Sequence, residues 1–518
     1  MECSVLRRVP NARRLRRAVR RPKIGVSIRG SLHALGRTLE IASLALALPA
    51  LVAAIYRESP LPFLIPLAVG LALGYLLERT NRGKGRLGTR EVFLIVVLAW
   101  LAAALLGSCP YLLAAHGLKH FTDAFMESMA GLTTTNISVV AKPGGLPHSL
   151  LFWRQFSQWL GGLGVIVLTL ALLPRLRIGG REPTIAEQPG QEVERLSRGV
   201  KIVIRRFGLL YLGLTLAAAL TLIGLALFDV DDSLNVFNSV GLAMSSVSTG
   251  GFSPHAGSLA DFSPATQWVV FVFMALAGTN IVLLFRGLMR REGRPFLRDS
   301  ETRLYAVIAL LGAVGIGAAL SAGGVASGWH AIREGLFESV SFLTTSGFTI
   351  SNISTWPLAA TAILVGLALI GGCAFSLSGS QKILRVQIIG KLLRREVAQT
   401  VHPEAVLHIR INRRRLDERA VQGVIAFALI FFGLLALGVL ALELDAARMD
   451  SNLNVFPALA DATAALSNGG PGLGFAGPMG SFAPFSDVSK LTLSALMLLG
   501  RLEIIPVAVL FSRSYWRP

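Results

Sequence analysis

The chain is poor in cysteine, in carboxylates and in charge generally, and each shortage removes a class of function. Cys3, Cys109 and Cys373 are the only cysteines in 518 residues, too few and too scattered for a disulfide framework or a metal cluster, which leaves redox chemistry without support. Asp and Glu number 30 against 50 Lys and Arg, and they are nearly absent from the long apolar runs, so no carboxylate relay for protons runs through them. Charged residues make up 15% of the chain while hydrophobic ones make up 53%, with a mean hydropathy of +0.60. That is far more apolar surface than a soluble core of this size needs. No A-x-A-like cleavage site follows the apolar run at 41–54, and a second run at 61–77 comes at once, so the basic leader and these runs read as a membrane hairpin rather than a secretory signal.

The solvent implied is a bilayer, whose core of about 30 Å takes roughly 20 apolar residues per helix. Stretches such as 92–115 and 491–511 fit that length. The net charge of +20 would suggest nucleic acid in a soluble protein, but its basic residues cluster at 79–90, 175–206, 286–303 and 382–419, between apolar runs. Lys/Arg-rich connections mark the cytoplasmic side. The alternate connections, around Asp229 to Asp232, Glu334 to Glu338 and Asp445 to Asp450, are neutral to acidic and read as external. The reading is therefore of a multi-pass chain with its N-terminus in the cytoplasm and no nucleic-acid partner.

After Arg90 one order of segments recurs: apolar span, short amphipathic segment, Ser/Thr/Gly-rich turn, second apolar span. The turns read LTTTNIS (132–138), SVSTGGFS (246–253), LTTSGFTIS (343–351) and LSNGGPGLG (466–474). The short segments before them, at 122–131, 234–244, 332–342 and 455–464, are too short to span and are predicted pore helices. Glu127, Glu338 and Asp461 stand nine residues before Asn136, Gly347 and Gly470, and the second copy has Gly241 at that distance from Gly250. The predicted fold is an all-α polytopic membrane protein with four pseudo-repeats of helix, pore helix and re-entrant loop, and helix around one pore. Its divisions are a basic leader (1–30), an N-terminal hairpin (31–90), repeat one with a cytoplasmic loop (91–206), repeat two (207–303), repeat three with a broken second helix at 371–382 and a cytoplasmic loop (304–419), and repeat four (420–518). Non-helical backbone at membrane depth is tolerated only where protein buries it or where it lines a water-filled path. Carbonyls and small hydroxyls can replace an ion's water, and the C-terminal ends of the short helices carry partial negative charge, so such a path favours cations.

At these turns, and at FWRQFSQWLGGLG (152–164), GGCAFSLSGSQK (371–382) and MLLGRLEI (497–504), the sequence resembles the TrkH/KtrB family of bacterial potassium transporters over nearly its whole length, and the extra hairpin resembles the TrkH branch. The resemblance implies potassium uptake across the cytoplasmic (inner) membrane, no enzymatic activity, no tightly bound cofactor, a homodimer and a cytosolic TrkA-type nucleotide-binding regulatory subunit. It implies a potassium filter made of Thr133, Thr134, Thr135 and Asn136; Val247, Ser248, Thr249 and Gly250; Thr344, Thr345, Ser346 and Gly347; and Ser467, Asn468, Gly469 and Gly470. It also implies a gate at Gly371, Gly372, Ser376, Ser378, Gly379 and Lys382, with Arg501, in the middle of the last span, opposing cation passage from within the ion path. The family usually has Gly at the place of Asn136 and Asn-Thr-Gly at that of Asn468 to Gly470. Asn tolerates the left-handed region best among non-glycine residues, so Asn136 is expected to keep the fold while weakening discrimination of potassium from sodium.

Other signals carry less. Gly83 to Gly88 matches G-x-G-x-x-G but follows a span and lacks the strand a dinucleotide fold needs. His116 and His120 have the spacing of a metal pair without a third ligand. The Asn136-Ile137-Ser138 and Asn352-Ile353-Ser354 matches to the glycosylation pattern fall at the proposed loops. The rivals are an ion-coupled alternating-access transporter, against which the repeats' shared orientation counts, and a membrane-embedded transferase, for which the acidic residues are too scattered.

Overall fold

Within a bilayer a backbone satisfies its own N–H and C=O groups only in helices or closed barrels, and this chain uses helices. The structure, a computed structural model, describes residues 26–81, 88–114, 117–172, 191–289, 296, 298–412, 414–449 and 454–516. Most of the basic leader, the Gly-rich segment at 83–87, His116, the basic stretches at 173–190 and 290–295, and Asp450 lie outside these residues.

The N-terminal hairpin is α1 (Ile28–Leu44) running on into α2 (Ala47–Ile55), then α3 (Leu61–Thr80) returning. A Cβ at Gly36 would lie 2.6 Å from the Gly74 carbonyl, so the two legs meet backbone to backbone, as small residues allow in membranes. Repeat one is α4 (Thr89–Leu113), the short α5 (Phe121–Leu132) and α6 (His148–Leu172). Glu58, from the hairpin's turn, accepts from the backbone N–H groups of His148 and Ser149 at 2.6 and 2.9 Å and so caps α6. Repeat two is α7 (Gln191–Leu227), the short α8 (Val236–Val247), then α9 (Pro264–Ala277) and α10 (Ile281–Met289), which meet at 109°. Repeat three is α11 (Ser300–Ala322), the short α12 (Gly328–Leu343), α13 (Leu358–Ile370) and, beyond an irregular loop, α14 (Ile383–Val401). Two short strands, β1 (Arg410–Ile411) and β2 (Arg414–Arg415), pair antiparallel before repeat four. That repeat is α15 (Glu418–Arg448), the short α16 (Val455–Leu466), α17 (Asp487–Arg501) and α18 (Ile505–Leu510), followed by the terminal α19 (Arg513–Trp516). Among the described residues six helices are long and apolar enough to cross a membrane, and seven if the bent α9 and α10 count as one span.

Two expectations need correction. The second helix is broken in repeats two and four as well as in repeat three, and the run at 491–511 is not one continuous helix. Arg501 is therefore the last residue of α17 rather than the middle of a helix, and the chain turns there through Glu503 and Ile504, both at positive φ (57° and 58°). The break between α9 and α10 is sustained from repeat three: Cys373 and Leu377 donate N–H groups to the Gly278 and Ala277 carbonyls at 2.9 and 3.3 Å, and Ile281 donates to Phe375 at 3.3 Å. Backbone groups freed by one interruption are thus paired by another.

The short helices are held to the loops that follow them by their own side chains. Glu127, Glu338 and Asp461, all fully buried, accept from the backbone N–H twelve residues on, at Val139 (3.0 Å), Ile350 (2.8 Å) and Leu473 (3.1 Å). Counting from the helix ends, the equivalent residue in repeat two is Leu242, not Gly241, and twelve residues beyond Leu242 stands Pro254, which has no N–H to donate. Acid and donor are absent together. Gln158 braces that loop instead, donating to the Gly250 carbonyl at 2.7 Å and accepting from the Phe252 N–H at 3.2 Å.

Replacing Glu338 by Leu leaves the half-buried Ile350 N–H without its partner, a loss of about 1 kcal/mol. The thermal unfolding midpoint of the detergent-purified variant is expected to fall below that of the parent. Leu242→Glu is expected to fall too, because Pro254 offers nothing to a new carboxyl. An unchanged midpoint for Glu338→Leu contradicts the clamp.

Candidate functional site

Each short helix ends in the same turn. The N–H groups of Thr135, Gly250, Ser346 and Gly469 reach back to the carbonyls of Ala130, Ser245, Ser341 and Ala464 at 2.8–2.9 Å, and those of Thr134, Thr249, Thr345 and Asn468 to Gly131, Ser246, Phe342 and Ala465 at 3.1–3.2 Å. This is the Schellman pattern, whose left-handed position is usually glycine. Here it holds Thr134 (φ 54°), Thr249 (φ 53°), Thr345 (φ 58°) and Asn468 (φ 51°). A β-branched residue in that region is an outlier that costs on the order of 1–3 kcal/mol, and three of them, with Asn468 as the more tolerant fourth, mark a place where a side-chain oxygen matters more than backbone ease.

That shared pattern fixes the register of the loops. Val247 is the last helical residue of α8, equivalent to Leu132, Leu343 and Leu466, so the second loop runs from Ser248 through Thr249 and Gly250 to Gly251, one residue later than expected. Gly251 is the member that sequence reasoning missed; its φ of +82° groups it with Gly347 (+71°) and Gly470 (+134°). Asn136, the fourth member of that position, is not in the left-handed region, contrary to expectation.

The four loops meet. The Asn136 N–H donates to the Gly469 carbonyl at 2.7 Å, a Cβ at Gly347 would lie 2.2 Å from the Gly470 carbonyl, and one at Gly251 would lie 1.9 Å from the Ser346 carbonyl. Only glycine permits approaches this close. Thr133 to Thr135, Ser248 to Gly251, Thr344 to Gly347 and Ser467 to Gly470 are all buried, while Asn136 is half-buried. Among the described residues Thr249 Oγ1, Ser467 Oγ and Asn468 Oδ1 have no protein hydrogen-bond partner. Buried oxygens without donors suit a partly dehydrated cation. Glycines of the second helices bring them against the same turns: a Cβ at Gly161 would lie 1.9 Å from the Leu132 carbonyl, and one at Gly500 would lie 2.1 Å from that of Leu466.

The irregular loop at 371–382 lies against this cluster. Gly371 takes a φ of +77° as α13 ends, and Phe375, Ser380 and Lys382 are also left-handed (59°, 69° and 69°). Ser378 Oγ accepts from the Gly372 N–H at 3.2 Å and meets Ser376 Oγ at 2.5 Å. At the tip, Gly379 donates its N–H to Thr345 Oγ1 at 2.9 Å, and a Cβ there would lie 1.9 Å from the Ser467 carbonyl. Two buried cations hold the loop by its carbonyls: Lys382 Nζ donates to Ser376 at 3.2 Å and Arg501 Nη1 to Leu377 at 3.1 Å. Arg501 Nε and Nη2 have no protein partner, and Glu503 pairs instead with Arg385 at 2.7 Å.

On the other side of the loops, a small open cleft is lined by Asn136, Ser138, Arg154, Gly251 and His255 among others. Arg154 is tied to Glu127 at 2.7 Å and lies 4.3 Å over the Phe252 ring. His120 begins α5 without a side-chain cap, and no group of three or more His, Cys, Asp or Glu that could hold a metal ion occurs among the described residues.

The sequence profile of the TrkH family, described as a cation transport protein, matches residues 63–517. The Trk system potassium uptake protein TrkH of Salmonella typhimurium is 36% identical over 91% of this chain and 95% of its own length. The protein of that name from Vibrio parahaemolyticus is 34% identical over 95% of this chain and all of its own length. The crystal structure of the potassium transporter TrkH from Vibrio parahaemolyticus superposes with a TM-score of 0.83 at 32% identity, covering 94% of this chain and 99% of that one. With the fold, the repeats and the loop chemistry in place, the chain belongs to the TrkH family of cation transport proteins.

Proposed function

We propose that the four loops form a filter through which potassium enters a bacterial cell across its cytoplasmic membrane. The observation that carries the reading is the turn repeated four times with Thr or Asn in the left-handed position, its oxygens buried and partly unpaired where the loops meet. Relatives named as potassium uptake proteins support the choice of ion. An inside-negative potential favours cation uptake by ~2.3 kcal/mol per 100 mV, enough for a roughly fiftyfold gradient without chemical coupling. The basic connections support a cytoplasmic N-terminus. Family membership supports a homodimer and a TrkA-type cytosolic nucleotide-binding subunit as partners.

The 371–382 loop acts as the gate. Its tip closes on Thr345 and Ser467, and Arg501 sets a positive charge beside it in a medium of low dielectric, where a cation in the path is repelled. A second reading, a filter less selective between potassium and sodium, is favoured by Asn136, which breaks the glycine pattern of the other three loops.

In proteoliposomes under an inside-negative potential, rubidium uptake is expected to be suppressed by excess potassium and only weakly by sodium. Suppression by both ions to the same degree supports the second reading, and uptake indifferent to potassium refutes the filter. Arg501→Ala is expected to raise basal rubidium uptake; a variant that inserts normally and conducts no faster counts against the gating role.

A further inference from the structure

Asn136 is the one member of its ring with a side chain, and that side chain lies at the ring's centre. A Cβ at Gly251 would be 2.8 Å from Asn136 Cβ, one at Gly347 would be 3.1 Å from it and one at Gly470 would be 3.0 Å from it. A group that touches the equivalent residue of all three other loops is on the axis they share. Its amide crosses that axis. Contacts between loops one and four, four and three, and three and two set their order around the ring, so loop three stands opposite loop one, and Asn136 Nδ2 donates to the Gly347 carbonyl at 2.6 Å. The same residue lines the cleft on the far side of the loops from the 371–382 loop.

We propose that Asn136 closes the outer end of the filter. A monovalent cation arriving from outside displaces the Nδ2–H from the Gly347 carbonyl and takes that carbonyl and Asn136 Oδ1 as ligands, while the amide swings toward the cleft. A carboxamide suits this exchange because it offers a donor to the opposite carbonyl when no ion is present and an acceptor to the ion when one is. Nothing covalent changes. The inference rests on the filter reading above and adds a step to it: each ion's passage breaks one hydrogen bond at the mouth.

Initial rates of rubidium uptake into proteoliposomes, measured against external rubidium concentration, test it with Asn136→Gly, Asn136→Ser and Asn136→Asp. Neither Gly nor Ser reaches across the ring, so both variants are expected to raise the maximal rate by about fivefold, the factor that one hydrogen bond's net worth puts on a barrier. Asp keeps the oxygens but has no N–H to give Gly347, so its half-saturating rubidium concentration is expected to fall. Maximal rates of the Gly and Ser variants at or below that of the parent, with unfolding midpoints intact, overturn the proposal. Loss of folded protein in both overturns it equally, because Asn136 is then a brace between loops. If potassium fails to compete with rubidium in the parent, the filter reading has failed instead, whatever Asn136 does.

Discussion

Everything at the centre of this molecule depends on how a helix is ended inside a membrane. Carbonyls left over at a helix end have no water to meet there, so they must be paired by the chain that follows or by something that passes. The Schellman turn pairs two of them at the end of each short helix, and it requires one left-handed residue. Glycine would take that conformation without strain. The chain places Thr134, Thr249, Thr345 and Asn468 there, accepting strain at the three threonines to keep an oxygen-bearing side chain at each corner. Such strain persists only where the surroundings over-determine the backbone, and the buried acids that reach twelve residues forward, the Gln158 brace and the glycines of the second helices supply that determination.

The same rule governs the loop at 371–382, the proposed gate. Interrupting α13 frees backbone groups at membrane depth, and the loop satisfies them against the α9–α10 break, against Thr345 and against the ammonium of Lys382 and the guanidinium of Arg501. The proposed filter and gate are therefore joined by hydrogen bonds, and a displacement of the 371–382 loop has to break the bond from Gly379 to Thr345.

Much of this was legible in the sequence, because repetition and composition survive where no single motif is decisive. The short amphipathic helices fell within a few residues of their places, and the Gly- and Ser-rich interruption at 371–382 was plain from helix propensity. The second loop was misaligned because SVSTGGFS contains two adjacent glycines, and aligning on the first put Val247 in the loop and left Gly251 out. The Leu242 and Pro254 exchange was invisible for a physical reason: an acid and its N–H partner vanish together, and the pairing of the other three copies is a tertiary fact. The break after Arg501 had no glycine or proline at the turning residues to announce it, since Glu503 and Ile504 themselves adopt positive φ. Asn136 was read by its tolerance of the left-handed region, whereas its backbone avoids that region and its side chain crosses between loops.

The central claim is that cations are held where the four turns converge. Its most direct test is anomalous scattering from crystals grown with thallium or rubidium in place of potassium. The account predicts density on the shared axis between Thr134, Thr249, Thr345 and Asn468. Crystals that diffract well enough to show these side chains, and that place the heavy cations elsewhere or nowhere, would contradict it.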